Sequence, residues 1–152
     1  MTVSRTSDID FHELRNLLND FCRDCDLFNT GQCKEATCLI GFAKKVINFA
    51  EQKGVLDIPG ASNLIPKNDF KPYYQDQISR AIAASCKLCR ECRDNHSSDC
   101  VVSLVRTSLE SAVLQEQIDY PGSVFMYLAK VKQQNDELSG QIANHLTGKK
   151  TP

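Results

Sequence analysis

Cys22-Arg23-Asp24-Cys25, followed by Cys33, opens a pattern that returns as Cys89-Arg90-Glu91-Cys92, followed by Cys100. Every cysteine of the first triplet has its counterpart 67 positions later, and an arginine followed by an acid fills the gap both times. Each copy carries one further cysteine, Cys38 after the first triplet and Cys86 before the second, so the eight cysteines divide four and four. A Cys-x-x-Cys pair lets two sulfurs face one metal. Two such pairs, each with a third and fourth cysteine close by, point to two thiolate-bound centres.

The flanks of each triplet read as helices. Ahead of Cys22, apolar residues recur at helical spacing (Phe11, Leu14, Leu17, Leu18, Phe21), and Asp10 with Glu13 forms a capping box. The pattern predicts a helix over 9–22. Asn29-Thr30-Gly31 is turn chemistry. A second helix is predicted over 34–53, with Ala36, Leu39, Ile40, Ala43, Val46, Ile47 and Ala50 on one face and Gly54 as its stop. Cys33 would then open that helix, where free N–H groups and the helix dipole stabilise a thiolate, and Cys38 would lie a turn further in.

The second copy repeats this grammar. A helix is predicted over 73–88, carrying Tyr74, Ile78, Ala81, Ile82, Ala83 and Ala84 and leading into Cys86, Cys89 and Cys92. His96 to Asp99 reads as a turn and cap before a helix over 99–117 that carries Val101, Val102, Leu104, Val105, Leu109, Ala112 and Val113. The unit is helix, Cys-x-x-Cys, turn, Cys, helix. Two units, 9–53 and 73–117, predict an all-α helical bundle with an internal pseudo-two-fold repeat, folded as a single domain over 1–152.

Two segments fall outside the repeat. Residues 54–72 hold three prolines and two glycines among Val55, Leu56, Ile58, Leu64, Ile65 and Phe70. This is read as an ordered crossover, with a lid or partner loop as the functional reading; its length calls for a short hidden element or a special purpose. After Tyr120-Pro121-Gly122, the residues Val124, Leu128, Val131, Leu138, Ile142 and Leu146 predict one long helix over 122–146. Its polar stretch Lys132–Glu137 suggests that part of it projects. It either covers an open face or pairs with a protein partner or a second copy.

Composition narrows the function. With 18 basic and 19 acidic residues, a broad electrostatic grip on nucleic acid is not expected. The N-terminus shows no apolar run, so neither signal peptide nor membrane span is expected, and a cytoplasmic setting follows. Cysteines in a reducing compartment serve metals or catalysis more than disulfides.

The candidate ligands are therefore Cys22, Cys25, Cys33 and Cys38 for one centre and Cys86, Cys89, Cys92 and Cys100 for the other. A crossed grouping, in which Cys38 and Cys86 exchange halves, is also open to the spacing, although the local grouping needs fewer assumptions. Four thiolates suit an iron–sulfur cluster or a tetrahedral zinc. The run Cys86-x-x-Cys89-x-x-Cys92 favours two iron–sulfur clusters, because three closely spaced sulfurs wrap three corners of a cubane. That run resembles the first three cysteines of the bacterial ferredoxin pattern. It departs at the fourth, which lies further on and is followed by Val101 instead of proline, so the ferredoxin family is not carried over. Two zinc ions are the alternative, with His96 as a possible replacement ligand and His12 and His145 as surface or packing residues. Arg23 and Arg90 stand where they offset the charge of a polythiolate cofactor, or else are solvated charges on a turn.

No Walker, dinucleotide, nucleophile-elbow or zinc-protease motif is present, so no catalytic residue is named. The expected roles are electron transfer, redox sensing or maturation of a partner. A zinc-stabilised interaction scaffold and a thiol-redox protein are the competing classes.

Overall fold

The computed structural model describes residues 11–23, 38–55, 57–67, 69, 73–91, 100–114, 116, 118 and 123–147, with the side chains of 89–91 excepted. Six α-helices account for most of them: α1 (His12–Arg23), α2 (Leu39–Lys53), α3 (Gln75–Glu91), α4 (Val101–Ser111), α5 (Val124–Gln134) and α6 (Asp136–Thr147). No strand occurs among the described residues, so the chain is an all-α bundle.

Each helix forms where an apolar stripe demands one. In α1 the buried positions are Leu14, Leu18 and Phe21, continued outward by buried Phe11. This stripe packs on α2 and α3. Arg15 pairs with Glu51 of α2, and Glu13 lies 4.0 Å from Lys87 near the end of α3. Helices α2 and α4 pair extensively, as do α3 and α6, while α3 also packs on α4. The central part of α3 is buried almost all round, from Ile78 through Cys86. A fully buried Leu or Ile contributes about 1.5–3 kcal/mol, and this core holds more than a dozen large apolar side chains.

Several boundaries differ from the sequence reading. Helix α2 begins at Leu39, not near residue 34: Cys38 is its N-cap, with extended backbone (φ −104°, ψ 130°). The start is fixed from outside, because the Asp69 carboxylate takes the Leu39 N–H at 2.9 Å. Helix α4 stops at Ser111, short of 117. There the Gln134 side-chain amide captures the Glu116 backbone, accepting its N–H at 3.2 Å and donating to its carbonyl at 3.1 Å, which holds the chain off the helix path.

The single long C-terminal helix is in fact two. Asn135 is extended (φ −156°, ψ 95°) and breaks the run. Its Oδ1 accepts the Leu138 N–H at 3.0 Å and so caps α6, while its Nδ2 donates to Gln75 at 2.9 Å. Gln75 in turn donates to Glu137 and Gln141, both at 3.0 Å. The polar stretch Lys132–Glu137 is thus a corner pinned to the start of α3, and α6 folds back to cover α3 and α5.

The described residues of the connection after α2 pack back onto the bundle. Gly54 ends α2 in the left-handed region (φ 67°), where a Cβ would be strained. Asp57 makes an antiparallel bridge to Cys100, and a 3-10 helix spans Ala61–Leu64. Ala61 and Ile65 are buried, and Asp69 brings the chain back to the start of α2. The crossover therefore runs back along α2, from its end to its beginning. Among the described residues no helix is long and apolar enough to cross a membrane.

Candidate functional site

Cys22 sits in the last turn of α1, half-buried, and accepts a hydrogen bond from Lys44 Nζ at 3.3 Å. The cation belongs to α2 and is placed there by the α1–α2 packing. Lys44 thus stands beside the Cys22 sulfur, the place that the sequence had offered to Arg23. Arg23 itself is exposed and pairs with Asp20 one turn back.

Cys38 lies at the same end of the bundle. Its Sγ accepts the Gly41 N–H at 3.4 Å, the bond that a serine or aspartate oxygen usually takes at an N-cap. A thiol is a weak acceptor, so this cap is weaker than one made by a serine or aspartate oxygen. Tyr73 Oη lies 3.8 Å from the same sulfur and donates to Asp69 Oδ2. Tyr73 also stands edge-on to Phe21, with ring centroids 6.3 Å apart. Burial, followed by the bond to Asp69 and the proximity of Cys38, holds the Tyr73 phenol firmly protonated. The hydroxyl thus sits between Asp69 and Cys38.

Cys86 and Cys100 lie toward the opposite end. Cys86 is completely buried in α3, and Cys89 follows on the next turn of the same helix. The sequence reading ended this helix at 88, between the two cysteines; α3 instead carries both and ends at Glu91. Cys100 is the N-cap of α4, is 8% exposed, and bridges to Asp57 just beyond the end of α2.

The separation follows from helix geometry. Ser108 of α4 donates to the Leu39 carbonyl at 2.7 Å, which sets the start of α2 level with that residue. Cys100 lies eight residues earlier on the same helical path, ~12 Å along the axis. Tyr73, against Cys38, immediately precedes α3, and Cys86 lies eleven residues into that helix, ~16 Å along it. A zinc ion holds its thiolates within about 5 Å of one another, twice the metal–sulfur bond of about 2.3 Å. The crossed exchange of Cys38 and Cys86 would have to span two to three times that distance.

Cys25, Cys33, Cys92 and His96 lie outside the described residues, as do the side chains of Cys89 and Arg90. Whether the two Cys-x-x-Cys segments share one conformation lies outside them too. Cys22, Cys38, Cys86 and Cys100 are not joined to one another by disulfides, and among the described residues no three Cys, His, Asp or Glu side chains converge on one point. His12 is bonded to Asn16 and His145 to Asp76, at 3.2 and 3.1 Å.

Sequence reasoning missed a second polar centre. Arg106, Glu110 and Tyr127 are all buried inside the bundle. Arg106 Nε lies 3.6 Å from Glu110 Oε2, Tyr127 donates to that same oxygen, and the guanidinium carbon sits 5.5 Å from the Tyr127 ring centroid. Burial pushes the Glu110 carboxyl up to about 7, against the opposing pull of Arg106, Tyr127 and the nearby Ile118 backbone. Burial and the Glu110 charge raise Tyr127 well above its ordinary value. The available signal was the i,i+4 spacing of Arg106 and Glu110, the two charged residues in the stretch Val101–Ser111.

Glu110 lines a cavity of about 270 Å³ between α2, α4 and the crossover. Searches against protein-family models, curated proteins and solved structures find no match to this chain.

Proposed function

We propose that this chain is an electron-transfer protein carrying two cysteine-ligated iron–sulfur clusters, one at each end of the bundle. Cys22, Cys25, Cys33 and Cys38 hold the first; Cys86, Cys89, Cys92 and Cys100 hold the second. The observation that carries this reading is the placement of Cys38 and Cys22 at one end and of Cys86 and Cys100 at the other. Such a division favours two local groups over a crossed or shared one. Iron–sulfur is preferred to zinc because the cysteine run 86, 89, 92 offers three sulfurs three residues apart in the sequence. Lys44, Gly41 and Tyr73 also supply the sulfur contacts by which a protein tunes a cluster's potential.

The test is iron, zinc and acid-labile sulfide analysis, with a visible spectrum, on protein purified without oxygen. Two clusters per chain are expected, and Cys22→Ser and Cys100→Ser should each remove about half of the iron while leaving the other half bound. Zinc without sulfide or colour would convert the assignment to a metal-stabilised scaffold. Metal-free native protein with all eight thiols titratable would end both readings.

A further inference from the structure

Helix α5 packs chiefly on α6 and sends Tyr127 and Val131 into the bundle. Its first six residues, Val124–Ala129, are nonetheless all apolar. A helix that is apolar all round is normally covered all round. At 100° per residue, Phe125, Met126 and Ala129 share the side turned away from Tyr127 and Val131, with Lys132 and Gln133 continuing it toward the C-terminus. Phe125 is 83% exposed and Met126 56%, and Phe125 is the most exposed large apolar side chain among the described residues. Their turn is held in place by Ser123, whose hydroxyl accepts the Met126 N–H at 3.4 Å.

An apolar face does not by itself name its occupant; the charges that follow it do. Helix α5 carries Lys130 and Lys132 and no acid, and α6 opens just beyond it with exposed Asp136 and Glu137. In chain order the surface is apolar, then basic, then acidic. A second copy laid antiparallel against the first matches this order. The N-terminus of α5 bears the positive end of the helix dipole and lacks an acid in its first turn; the antiparallel copy brings Asp136 toward it.

The middle of the contact fits as well. Ala129 is small and central on the outward face, so two helices crossing there approach closely. Four residues to either side, Phe125 of one copy meets Gln133 and the stem of Lys132 of the other. Lysine stems cover apolar surface, and an ammonium group is drawn to an aromatic face. A parallel arrangement would instead set the lysines of both copies side by side. An anionic membrane surface would suit the lysines but repel Asp136 and Glu137. The eleven residues of α5 make a rod about 16 Å long, so one face buries less than the roughly 800 Å² per partner of a standard stable interface. The association is therefore weak and depends on concentration.

We propose that two copies of this chain associate through an antiparallel α5–α5 contact centred on Ala129, in which Phe125 and Met126 of each copy are covered by the C-terminal half of α5 of the other. The contact does not depend on what the cysteines bind.

The experiment uses the full chain as purified. Sedimentation and light scattering are followed from about 10 μM to about 1 mM, the range suited to a small interface. The mass should rise from one chain toward two, less so at high salt, and the amides of Phe125, Ala129 and Gln133 should shift with concentration. Phe125→Lys, at an exposed position, should keep the helical circular dichroism and weaken association about ten-fold or more. Adding Gln133→Glu to the same chain should recover part of that loss, because the lysine introduced in one copy meets the glutamate introduced in the other. Within one copy the two positions lie two turns apart and cannot pair. A monomer at every concentration, a dimer indifferent to Phe125→Lys, or no recovery from Gln133→Glu would each overturn the proposal. So would a monomer that binds phosphatidylglycerol vesicles through the same face, which would assign α5 to a membrane surface.

Discussion

Tyr127 donates its hydroxyl to Oε2 of Glu110 in the dry centre of the bundle, and Arg106 lies against both. A carboxyl in such a place keeps its proton longer than it does in water. Its folded value of about 7 stands above the 4.5 of the unfolded chain. The contribution to stability is therefore complete below about pH 4.5 and is lost as pH rises through about 7. The difference corresponds to roughly 3 kcal/mol. Urea unfolding of the native chain should show stability falling between pH 5 and pH 8, and Glu110→Gln should flatten that fall. Identical slopes for the two proteins would contradict the assignment.

Tyr127→Phe removes the one hydroxyl that serves Glu110 Oε2. The expected cost is about 1–3 kcal/mol, because the acceptor remains buried. The lost bond had favoured the charged carboxylate, so the pH-dependent fall should also move upward in pH. A variant as stable as the native chain, with an unmoved pH profile, would show that the bond does not form in solution.

Asp69→Ala leaves both the Leu39 N–H and the Tyr73 hydroxyl without their acceptor. A loss of about 1–3 kcal/mol is expected, with a smaller loss for Asp69→Asn, which keeps an oxygen in place. Asp20→Ala is the matched control. It breaks only the exposed pair with Arg23 and should change stability by no more than about 0.5 kcal/mol. Equal effects at positions 20 and 69 would remove Asp69 from its role at the head of α2.

Asn135→Ala should destabilise by about 1 kcal/mol through loss of the α6 cap, with a further loss from the bond to Gln75. Hydrogen exchange provides the sharper measurement. Amides in the first turn of α6 should open more readily, while those in the middle of α4 stay protected. Uniform deprotection would mean that the corner is not a local device.

The helical architecture was legible because the apolar residues of α1, α2, α3 and α4 recur at one period, and most of the residues so chosen are buried. The helix ends were not. Cys38 reads as an interior position until Asp69, thirty-one residues away, is seen to take the next N–H. Asn135 sits within a run that keeps its apolar spacing from Val131 to Leu138, so nothing local announces the corner. Its break is stabilised by Gln75, sixty residues earlier. The division of the cysteines into two sets was visible in their spacing, whereas the distance between the sets depends on helix direction, which spacing does not carry. The Arg106–Glu110–Tyr127 centre was hidden for a related reason: charged residues on a short helix read as solvent-facing unless the packing on every side is known.

Helix α2 begins at Cys38 and hands the chain, a few residues past its end, to the bridge between Asp57 and Cys100. It is therefore a ruler between the two cysteine ends, and its graduations are residues. Inserting one residue in its middle would lengthen the rod by about 1.5 Å and rotate one end against the other by about 100°. Substitutions along α2 change its packing, but only a change in its length would alter the gauge. The spacing of the two ends is thus tied to the residue count of α2, with α3 and α4 running between the same two ends beside it.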